Sequence, residues 1–297
     1  MWEPDRPLVS VVTPCFNAAR FIEETIASVL SQDYSRVEYI VMDGGSSDGT
    51  LDILRRYGDR LTWVSQKDRG AADAVNRGFH ASHGEIFTYL NADDVYLSGA
   101  ISAAVRAFGE NPDASVIYGG GVWIDEAGER IRPYPVRDFD PALFARECFI
   151  CQPASFLRRE VFENAGGLDP DLQLTFDYEL WMRLARVHSM QRIDQNLALS
   201  RMHRSNKSLG QRGGVFRETF RILKRHYGYI PFEWIYSYLC NQADSRDQFF
   251  EPLEPSTLRY LQSLPMGLWM NRAHAGRYLA EWFRVMSWAG LRRRLAG

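Results

Sequence analysis

Four short apolar runs, each ending in a cluster of polar residues, limit what this chain can fold into more than any other feature of its sequence. The runs are rich in β-branched residues, and each is followed by a segment with apolar residues at helical spacing. This alternation predicts an α/β fold with a mostly parallel sheet and helices on both faces. Ligands bind beyond the carboxyl ends of the strands in such sheets, so four loops should converge on one crevice. The loops are TPCFN, MDGGSSDG, QKDRG and NADD.

The NADD loop, in which Asn91 is followed by Asp93 and Asp94, allows two interpretations. Asn and Asp are ordinary turn residues, so the loop could be a solvated turn. Adjacent carboxylates repel each other, however, and a bound cation would hold them together. The position of the loop at the ligand edge favours the cation. Three more acids fall on that edge and predict a crevice suited to Mn²⁺ or Mg²⁺ shared with a diphosphate, namely Asp43, Asp68 and Asp177.

The composition excludes several classes of protein. At 297 residues, 45% of them hydrophobic, the chain can bury the core of one large domain or two ordinary ones. A formal net charge of -2 provides no general attraction to nucleic acid, and no nucleic-acid-binding motif is present. Four cysteines make neither a disulfide framework nor a four-ligand zinc site, which leaves a redox pair of Cys148 and Cys151 as a minor alternative.

Two observations concern location. No apolar run reaches the roughly 20 residues that span a bilayer. The first residues, MWEPDRP, lack the basic and apolar regions of a signal peptide. We therefore expect a cytoplasmic protein, or one at the inner face of a membrane.

Positive charge is concentrated at the C-terminus. From Leu258 to Gly297 seven arginines stand against one acid, Glu281, a local balance of +6 that leaves -8 for the remainder. On a helical wheel both faces of the last segment carry bulky apolar groups: Tyr278, Leu279, Trp282, Phe283, Met286 and Ala289 on one, Arg277, Arg284, Trp288 and Leu291 on the other. This pattern is typical of a helix that packs on the protein and touches a bilayer or a partner, although a solvated charged face is an equal alternative.

Six motifs occur in the order and spacing of the family 2 glycosyltransferases, which the chain resembles over roughly residues 8–208. The motifs are TPCFN, VMDGGSSDGT, DRGAADAVNRGF, GEIFTYLNADD, QPASFLRREVFENAGGLD and FDYELWMRLA. The resemblance implies a glycosyltransferase-A fold, with a Rossmann-like, mostly parallel sheet flanked by helices. It implies a catalytic domain over residues 1–209, whose acceptor side begins at about residue 115. Beyond it the resemblance fades, and apolar residues at helical spacing predict a helical C-terminal extension, a basic region over residues 210–297 with one helix through Phe216, Phe220, Leu223 and Tyr227 and one or two more from Leu268 to Leu295.

The resemblance also implies an activity. Members of the family bind a nucleotide sugar, usually a UDP-sugar, with a divalent metal and transfer the sugar with inversion to a hydroxyl of a glycan or lipid-linked acceptor. We expect this reaction, in the synthesis of a cell-surface polysaccharide or glycoconjugate. A non-catalytic sugar-nucleotide-binding or scaffold protein that retained the fold is the alternative. A nucleotidyltransferase would share the sheet but normally has a Gly-rich, basic first loop, which TPCFN is not.

The resemblance implies which residues of this chain bind the nucleotide and the metal. Asp43 matches the acid that contacts the nucleoside, and Asp68 matches the one that faces the base. Pro14 and Phe16 match residues that line the base pocket. Asp93 and Asp94 match the end of the family's D-x-D element, with Asp94 expected to be the more direct metal ligand. The family often has an acid where this chain has Asn91, so one carboxylate fewer could weaken metal binding.

Two further residues have competing interpretations. Asp177 matches the family's general base, which deprotonates the acceptor hydroxyl, whereas from the residues alone it could cap a helix. His203 matches a histidine that closes over the diphosphate or metal in some relatives, but it also lies in a basic stretch that could be solvated, with Arg201, Arg204 and Lys207. Trp123 and Trp181 could stack on a sugar, although core packing is the more common role of aromatics at such spacing.

Overall fold

The computed structural model describes residues 7–203, 206–246 and 248–286. Contacts among these residues divide them into two units. The first comprises residues 7–141 and 148–203, and the second comprises residues 142–147, 206–246 and 248–286. Residues 142–147 thus belong to the second unit, although the sequence places them in the first domain. Every predicted site residue lies in the first unit.

The first unit is an α/β structure in which strands and helices alternate over much of the chain. Its strands in the described residues are β1 (Val9–Cys15), β2 (Val37–Asp43), β3 (Thr62–Ser65), β4 (Ile86–Tyr89), β5 (Val95–Tyr96), β6 (Val116–Ile124), β7 (Arg130–Pro133), β8 (Ser155–Arg158) and β9 (Met190–Arg201). Its helices are α1 (Ile22–Leu30), α2 (Thr50–Arg56), α3 (Ala71–Ala81), α4 (Ala100–Glu110), α5 (Arg159–Asn164) and α6 (Phe176–Leu184).

These strands form one sheet in the order β3-β2-β1-β4-β8-β6-β9-β5, with β7 paired to β6. The first four strands of this order are parallel, as the sequence predicts. β8 is antiparallel to both of its neighbours, whereas β9 is parallel to β6. The sheet is therefore parallel in the half that carries the four polar loops and mixed in the other half. β6 and β7 are antiparallel and form a hairpin whose turn contains residues 126–128.

β1 forms the centre of the parallel half, and all of its residues are buried. Its side chains alternate between the two faces of the sheet because successive residues in a strand point to opposite sides. Val9 and Val11 belong to the apolar cluster that includes Ile26 of α1. On the other face Val12 meets α3, where a Cβ on Gly78 would lie 2.5 Å from Val12 Cγ1. This close packing on both faces holds the strand ends, and hence the polar loops, in place.

The second unit is helical in its described residues, with α7 (Lys207–Gly210), α8 (Arg212–Tyr227), α9 (Phe232–Asp244), α10 (Thr257–Met270) and α11 (Ala275–Met286). The sequence predicts α8 and α11 in outline, but not α9 or most of α10. No helix in the described part of the chain combines the length and the apolar character needed to cross a membrane.

A buried acid organises the second unit. Glu281 is 7% exposed and accepts hydrogen bonds from Tyr229 Oη at 2.8 Å and from the backbone amide of Phe232 at 3.3 Å. Arg146 Nη2 also donates to Glu281, at 2.9 Å. Arg277 lies 3.9 Å from the Tyr229 ring, so one of the seven C-terminal arginines is used within the unit.

The structure describes only part of the amphipathic helix predicted for the last segment. Tyr278 and Trp282 are buried as expected, whereas Phe283 of the same predicted face is 62% exposed. Trp288, Ala289 and Leu291 lie outside the described residues.

Candidate active site

The first two polar loops are joined by hydrogen bonds between backbone amides and side chains. The amide of Asn17 donates to Ser46 Oγ at 2.7 Å, and the amide of Ala18 donates to Thr50 Oγ1 at 2.9 Å. In return, the amide of Ser47 donates to Asn17 Oδ1 at 2.9 Å. These bonds satisfy loop donors that have no partner in a helix or strand, and they fix the two loops relative to each other.

The two residues predicted to line the base pocket differ in exposure. Pro14 is buried within β1. Phe16, just beyond the end of the strand, is 64% exposed. An exposed ring on a fixed loop offers a face on which a planar group can stack, so Phe16 has the better geometry for direct contact.

Asp43, at the end of β2, is 2% exposed and fully hydrogen-bonded. Its Oδ2 accepts from the amides of Gly45 and Ser46, both at 3.0 Å, and from Ser65 Oγ at 2.6 Å. Its Oδ1 accepts from Ser46 Oγ at 2.5 Å. Burial alone would raise the pKa of Asp43, but these hydrogen bonds outweigh burial and lower the pKa below its ordinary value. Asp43 is therefore a carboxylate whose contacts shape the loop after β2.

Asp68 adjoins the same loop. Its Oδ1 accepts from the amide of Gly70 at 2.8 Å. The backbone of Gly44 passes so close that a Cβ on this residue would lie 2.8 Å from Asp68 Oδ2, which explains the need for glycine. Asp68 is only partly buried. The loops after β2 and β3 thus bring Asp43 and Asp68 to one place, with Asp68 the more accessible of the two.

Asp94 holds the NADD turn from the inside. It is 4% exposed, and its Oδ1 accepts from the amide of Arg201 at 2.9 Å. Its Oδ2 accepts from Asn91 Nδ2 at 3.2 Å, and its carbonyl accepts from Thr25 Oγ1 at 2.8 Å. Burial, together with the neighbouring Asp93 carboxylate, raises the pKa of Asp94. A direct metal ligand needs an oxygen that faces the crevice, whereas both carboxylate oxygens of Asp94 are used to hold the turn.

Asp93 has the opposite environment. Its Oδ2 lies 3.0 Å from His203 Nε2, and its side chain is 26% exposed. The His203 ring packs against Phe21, with the ring centroids 5.1 Å apart, and its side chain is 9% exposed. The solvated alternative for His203 is therefore wrong. Of the two adjacent acids, Asp93 is therefore the more accessible.

A metal would need ligands beyond these two residues. Within residues 7–203, 206–246 and 248–286, no group of three or more His, Cys, Asp or Glu side chains is arranged to hold a metal ion. Mg²⁺ and Mn²⁺ are commonly bound by one or two protein groups, with phosphate oxygens and water filling the remaining positions. Asp93 and His203 fit such an arrangement, in which the diphosphate supplies part of the ligand set.

Arg201 has a structural role that the sequence does not predict. It is the last residue of β9, not part of a solvated loop, and its side chain is 2% exposed. Its Nε donates to the Asp93 carbonyl at 3.0 Å, its Nη1 to the Asp125 carbonyl at 3.1 Å, and its Nη2 to Glu24 at 2.5 Å. It thus joins the NADD turn to the β6–β7 hairpin and to α1. The short apolar run of residues 197–199, directly before Ser200 and Arg201, is the signal that could have indicated a strand here.

Asn91 has a local structural role. Its Nδ2 donates to Asp94 Oδ2 at 3.2 Å and to Gln152 Oε1 at 3.1 Å. Gln152 Nε2 in turn donates to the Tyr89 carbonyl at 2.8 Å. An aspartate at position 91 would replace both donated bonds by contacts between acceptors. The departure from the acid that the family often has therefore has a physical reason in this chain.

Asp177 lies at the start of α6. The helix begins at Phe176 after Thr175, so Asp177 is within the first turn and does not cap the helix. It is partly exposed, and its Oδ1 accepts from the amide of Tyr178 at 2.8 Å. Burial raises the pKa of the Tyr89 hydroxyl, and Asp177 and Asp94 raise it further. The ring of Phe176, next to Asp177 in the chain, packs against the Tyr89 ring with the centroids 6.2 Å apart, so the start of α6 lies beside the strand that leads into the NADD turn.

Three minor alternatives are settled by burial. Trp123 and Trp181 are 4% and 0% exposed, so they pack in the core and do not present a face to a sugar. Burial raises the pKa of the Cys148 and Cys151 thiols. A reactive redox cysteine needs a lowered pKa, so this pair is not suited to redox chemistry.

Known proteins match this chain in sequence and in fold. Residues 10–166 match the family described as glycosyl transferase family 2. An uncharacterized glycosyltransferase from Rickettsia typhi is 31% identical over 206 residues, which is 66% of this chain and 64% of that protein. The chain therefore matches less than two thirds of the length of that relative.

Two solved structures show the same fold. Staphylococcus aureus TarS 1–349 in complex with UDP-GlcNAc has a TM-score of 0.62 at 13% identity, with 91% of this chain and 83% of that chain covered. The mannosyltransferase PcManGT from Pyrobaculum calidifontis, in complex with GDP-Man and Mn²⁺, has a TM-score of 0.60 at 18% identity, with coverage of 99% and 85%. The chain thus has a glycosyltransferase-A fold. It belongs to glycosyl transferase family 2.

Proposed function

We propose that the protein transfers a sugar from a UDP-sugar to a hydroxyl of a glycan or lipid-linked acceptor, with inversion and with help from a divalent metal. The observation that carries the proposal is the position of Asp177, a partly exposed carboxylate at the start of α6, whose neighbour Phe176 packs against Tyr89 of the strand that leads into the NADD turn. It supplies a base near the strand ends at which a nucleotide sugar would bind. The complexes of the similar structures with UDP-GlcNAc and with GDP-Man support a nucleotide-sugar donor.

The donor would lie across the loops after β1, β2 and β3. Phe16 offers a stacking face for the base, with Pro14 shaping the end of β1 beneath the loop. Asp68 is accessible enough to accept a hydrogen bond from an imide N–H of uracil, a donor group that a carboxylate recognises well. Asp43 is proposed to meet the nucleoside through the loop that it shapes, because its own oxygens already accept hydrogen bonds from protein.

Asp93 and His203 are the residues that would hold a divalent cation. When bound, such an ion neutralises charge that develops on the diphosphate as the bond to the sugar breaks. Asp94, Asn91 and Arg201 hold the turn that presents Asp93, through the hydrogen bonds described above. Their role is to fix the Asp93 carboxylate and limit its motion, which matters because small displacements of a positioned group reduce rates strongly.

Asp177 would act as general base. An acceptor hydroxyl is a poor nucleophile at neutral pH, and a carboxylate within hydrogen-bond reach can remove its proton as it attacks the anomeric carbon. The new bond to the acceptor oxygen forms as the bond to the nucleoside diphosphate breaks, with the proton left on Asp177. A single displacement of this kind inverts the anomeric configuration.

The test is the Asp177→Asn variant, which keeps the size of the side chain and removes its basicity. Sugar transfer should fall by about 10²- to 10⁴-fold, while UDP binding in the presence of Mn²⁺ stays within about twofold of wild type. Asp171→Asn, an exposed acid in the preceding loop, is the matched control and should retain activity. Transfer by Asp177→Asn within a few-fold of wild type, or a product whose anomeric NMR coupling shows retention, would disprove the proposal.

The non-catalytic alternative rested on Asn91 alone. Because Asn91 donates to Asp94 and Gln152, its amide is accounted for by the structure of the turn and does not indicate lost turnover. A cytoplasmic location at or near the inner membrane face, and a place in polysaccharide or glycoconjugate synthesis, are further parts of the proposal.

A further inference from the structure

One face of α10 exposes large apolar side chains in a continuous stripe. Leu258 is 58% exposed, Leu261 54% and Trp269 62%. Together with the exposed Pro265, these residues recur at spacings of three or four, so they lie on one side of the helix. The stripe extends about 16 Å along the helix axis, at a rise of about 1.5 Å per residue. An apolar stripe on the outer face of a surface helix is unusual and indicates that something covers it.

A cavity adjoins the end of this stripe. It has a volume of about 470 Å³ and lies within the second unit, lined by Phe220, Arg221, Lys224, Ile230, Trp269, Met270 and Arg272. Trp269 is shared by the stripe and the cavity, and the Arg272 guanidinium lies 6.0 Å from its ring centroid. The surface thus combines an aromatic ring, aliphatic side chains and cations.

The cations of the cavity are available to an anion. Lys224 Nζ donates to the carbonyls of Met270 and Gly228, which leaves its positive charge without a carboxylate partner in the described residues. Arg272 likewise forms no ion pair there. Arg221 lies one turn after Glu218 on α8 and is not counted with Lys224 and Arg272.

The neighbouring elements carry little opposing charge. From Pro255 to Ala280 the chain contains no Asp or Glu, and it contains three arginines. Glu281 points into the unit, where it meets Tyr229 and Arg146. An isologous contact between two copies would therefore bring like charges together, which disfavours a dimer through this face. An anionic surface with an apolar layer beneath it complements the charges and the stripe together.

We propose that the outer face of α10 and the adjoining cavity bind the surface of an anionic lipid bilayer. A lipid phosphate lies against Lys224 and Arg272, while Leu258, Leu261 and Trp269 enter the boundary between headgroups and acyl chains. Tryptophan and long cationic side chains favour this boundary, because each has an apolar part and a polar end. The proposal goes beyond sugar transfer and differs from membrane contact through the final arginines, because the surface lies entirely in described residues before position 273.

The experiment is co-sedimentation of the full chain with vesicles. One set contains phosphatidylcholine alone, and the other contains phosphatidylcholine mixed with phosphatidylglycerol. Wild type should sediment with the anionic vesicles only. Lys224→Gln with Arg272→Gln should lower the partition coefficient about 25-fold at low salt, since each cation near an anionic surface contributes about fivefold. Trp269→Ala should lower it about tenfold, because the ring no longer enters the bilayer.

Matched controls come from the first unit. Arg60→Gln with Arg130→Gln removes the same net charge from exposed positions, and Val187→Ser replaces an apolar residue that is 76% exposed. Both should sediment as wild type does. If the Lys224 variant fails to fold, as judged by circular dichroism, Leu258→Ser with Leu261→Ser tests the same surface without touching an internal hydrogen bond.

Three outcomes would overturn the proposal. The first is equal sedimentation of all these variants. The second is loss of binding on substitution of Arg292, Arg293 and Arg294 by glutamine while the Lys224 and Arg272 variant still binds. The third is saturable binding of inorganic phosphate or glycerol 3-phosphate without vesicles, lost in the same double variant, which would indicate a soluble ligand. Asp177→Asn should keep vesicle binding, so failure of the catalytic proposal would remain distinguishable.

Discussion

The acids at the strand ends fall into two groups according to what their oxygens contact. Asp43 and Asp94 are buried and accept hydrogen bonds from protein, so they hold loops in shape. Asp68, Asp93 and Asp177 keep part of their side chains exposed, so they can meet a ligand. The two kinds of acid depend on each other, because an exposed carboxylate is useful only where its loop is rigid.

The pH dependence of stability in the Asp43→Asn variant tests the role of the buried acids. The folded-state pKa of Asp43 is lowered, so its contribution to stability is present above the ordinary aspartate pKa of about 3.9 and is lost as the pH falls through the folded-state value. At neutral pH the variant should lose about 1–3 kcal/mol, because an amide N–H would face donors. Urea unfolding at neutral pH and near pH 3 measures the difference, which should shrink in acid. Asp52→Asn, which is exposed, is the control, and a loss independent of pH would contradict the argument.

Asn91→Asp tests the reason for the amide in the NADD turn. The new carboxylate would face Asp94 Oδ2 and Gln152 Oε1 with no proton to donate. We expect a loss of about 1–3 kcal/mol in the free energy of unfolding, together with weaker Mn²⁺-dependent UDP binding as the turn distorts. Asn164→Asp, at the end of α5, is the control. An Asn91→Asp protein that is equally stable and binds Mn²⁺ and UDP more tightly would show that the missing charge matters more than the hydrogen bonds.

At the scale of elements, β9 completes the site from a distance in sequence. It lies parallel to β6, and its last residue, Arg201, contacts the NADD turn through Asp93 and Asp94. His203 follows two residues later, which is how a residue 110 positions from Asp93 comes within 3.0 Å of it. The end of β9 thus supplies both a cross-link to the turn and a metal-ligand candidate.

Arg201→Met should destabilise the first unit and loosen the turn. The substitution leaves the Asp93 and Asp125 carbonyls without their buried donor, and Glu24 without its partner. We expect a loss of about 2–4 kcal/mol, because the substitution removes several hydrogen bonds of a buried guanidinium together with its ion pair to the half-exposed Glu24. Arg56→Met, whose ion pair with Glu23 is exposed on both sides, should lose less than about 1 kcal/mol. Equal losses for the two variants, measured by urea unfolding, would contradict a cross-linking role for Arg201.

At the scale of the whole molecule, positive charge is concentrated in the C-terminal segment and negative charge in the rest of the chain. The segment from Leu258 to Gly297 carries +6, and the remainder of the chain carries -8. A nucleotide sugar with a diphosphate therefore meets an acidic chain, and the exposed acids on the strand-end edge would repel it. A divalent cation held by Asp93, as proposed above, would reduce that repulsion.

UDP should therefore stabilise the protein only with a divalent cation. At a UDP concentration about 100 times the dissociation constant, binding adds about 2.7 kcal/mol, which corresponds to a rise of several degrees in Tm. Thermal unfolding with Mn²⁺ and with chelator measures this, and Asp93→Asn should remove most of the rise. Asp59→Asn, an exposed acid outside the crevice, should keep it. An equal rise in chelator would exclude a metal-bridged diphosphate.

Local pattern alone was sufficient for the parallel half of the fold and for the loops that carry the site. Strand and helix periods are properties of short segments, and polar residues at parallel strand ends must share one edge, so Asp43, Asp68 and the NADD loop could be placed together from sequence. The resemblance to a known family added Asp177 and His203. None of this required knowledge of a contact between distant residues.

Tertiary structure alone decided which of the two adjacent acids is buried. Asp93 and Asp94 are neighbours of the same type, so no local pattern distinguishes them. Their roles differ because the amide of Arg201, brought to them by β9, takes one oxygen of Asp94 and leaves Asp93 beside His203. β9 itself was missed because MQRIDQNLALSR begins with mostly polar residues and becomes a strand by pairing with β6. Long-range hydrogen bonds of this kind depend on where the whole chain brings its strands, which a short segment does not encode.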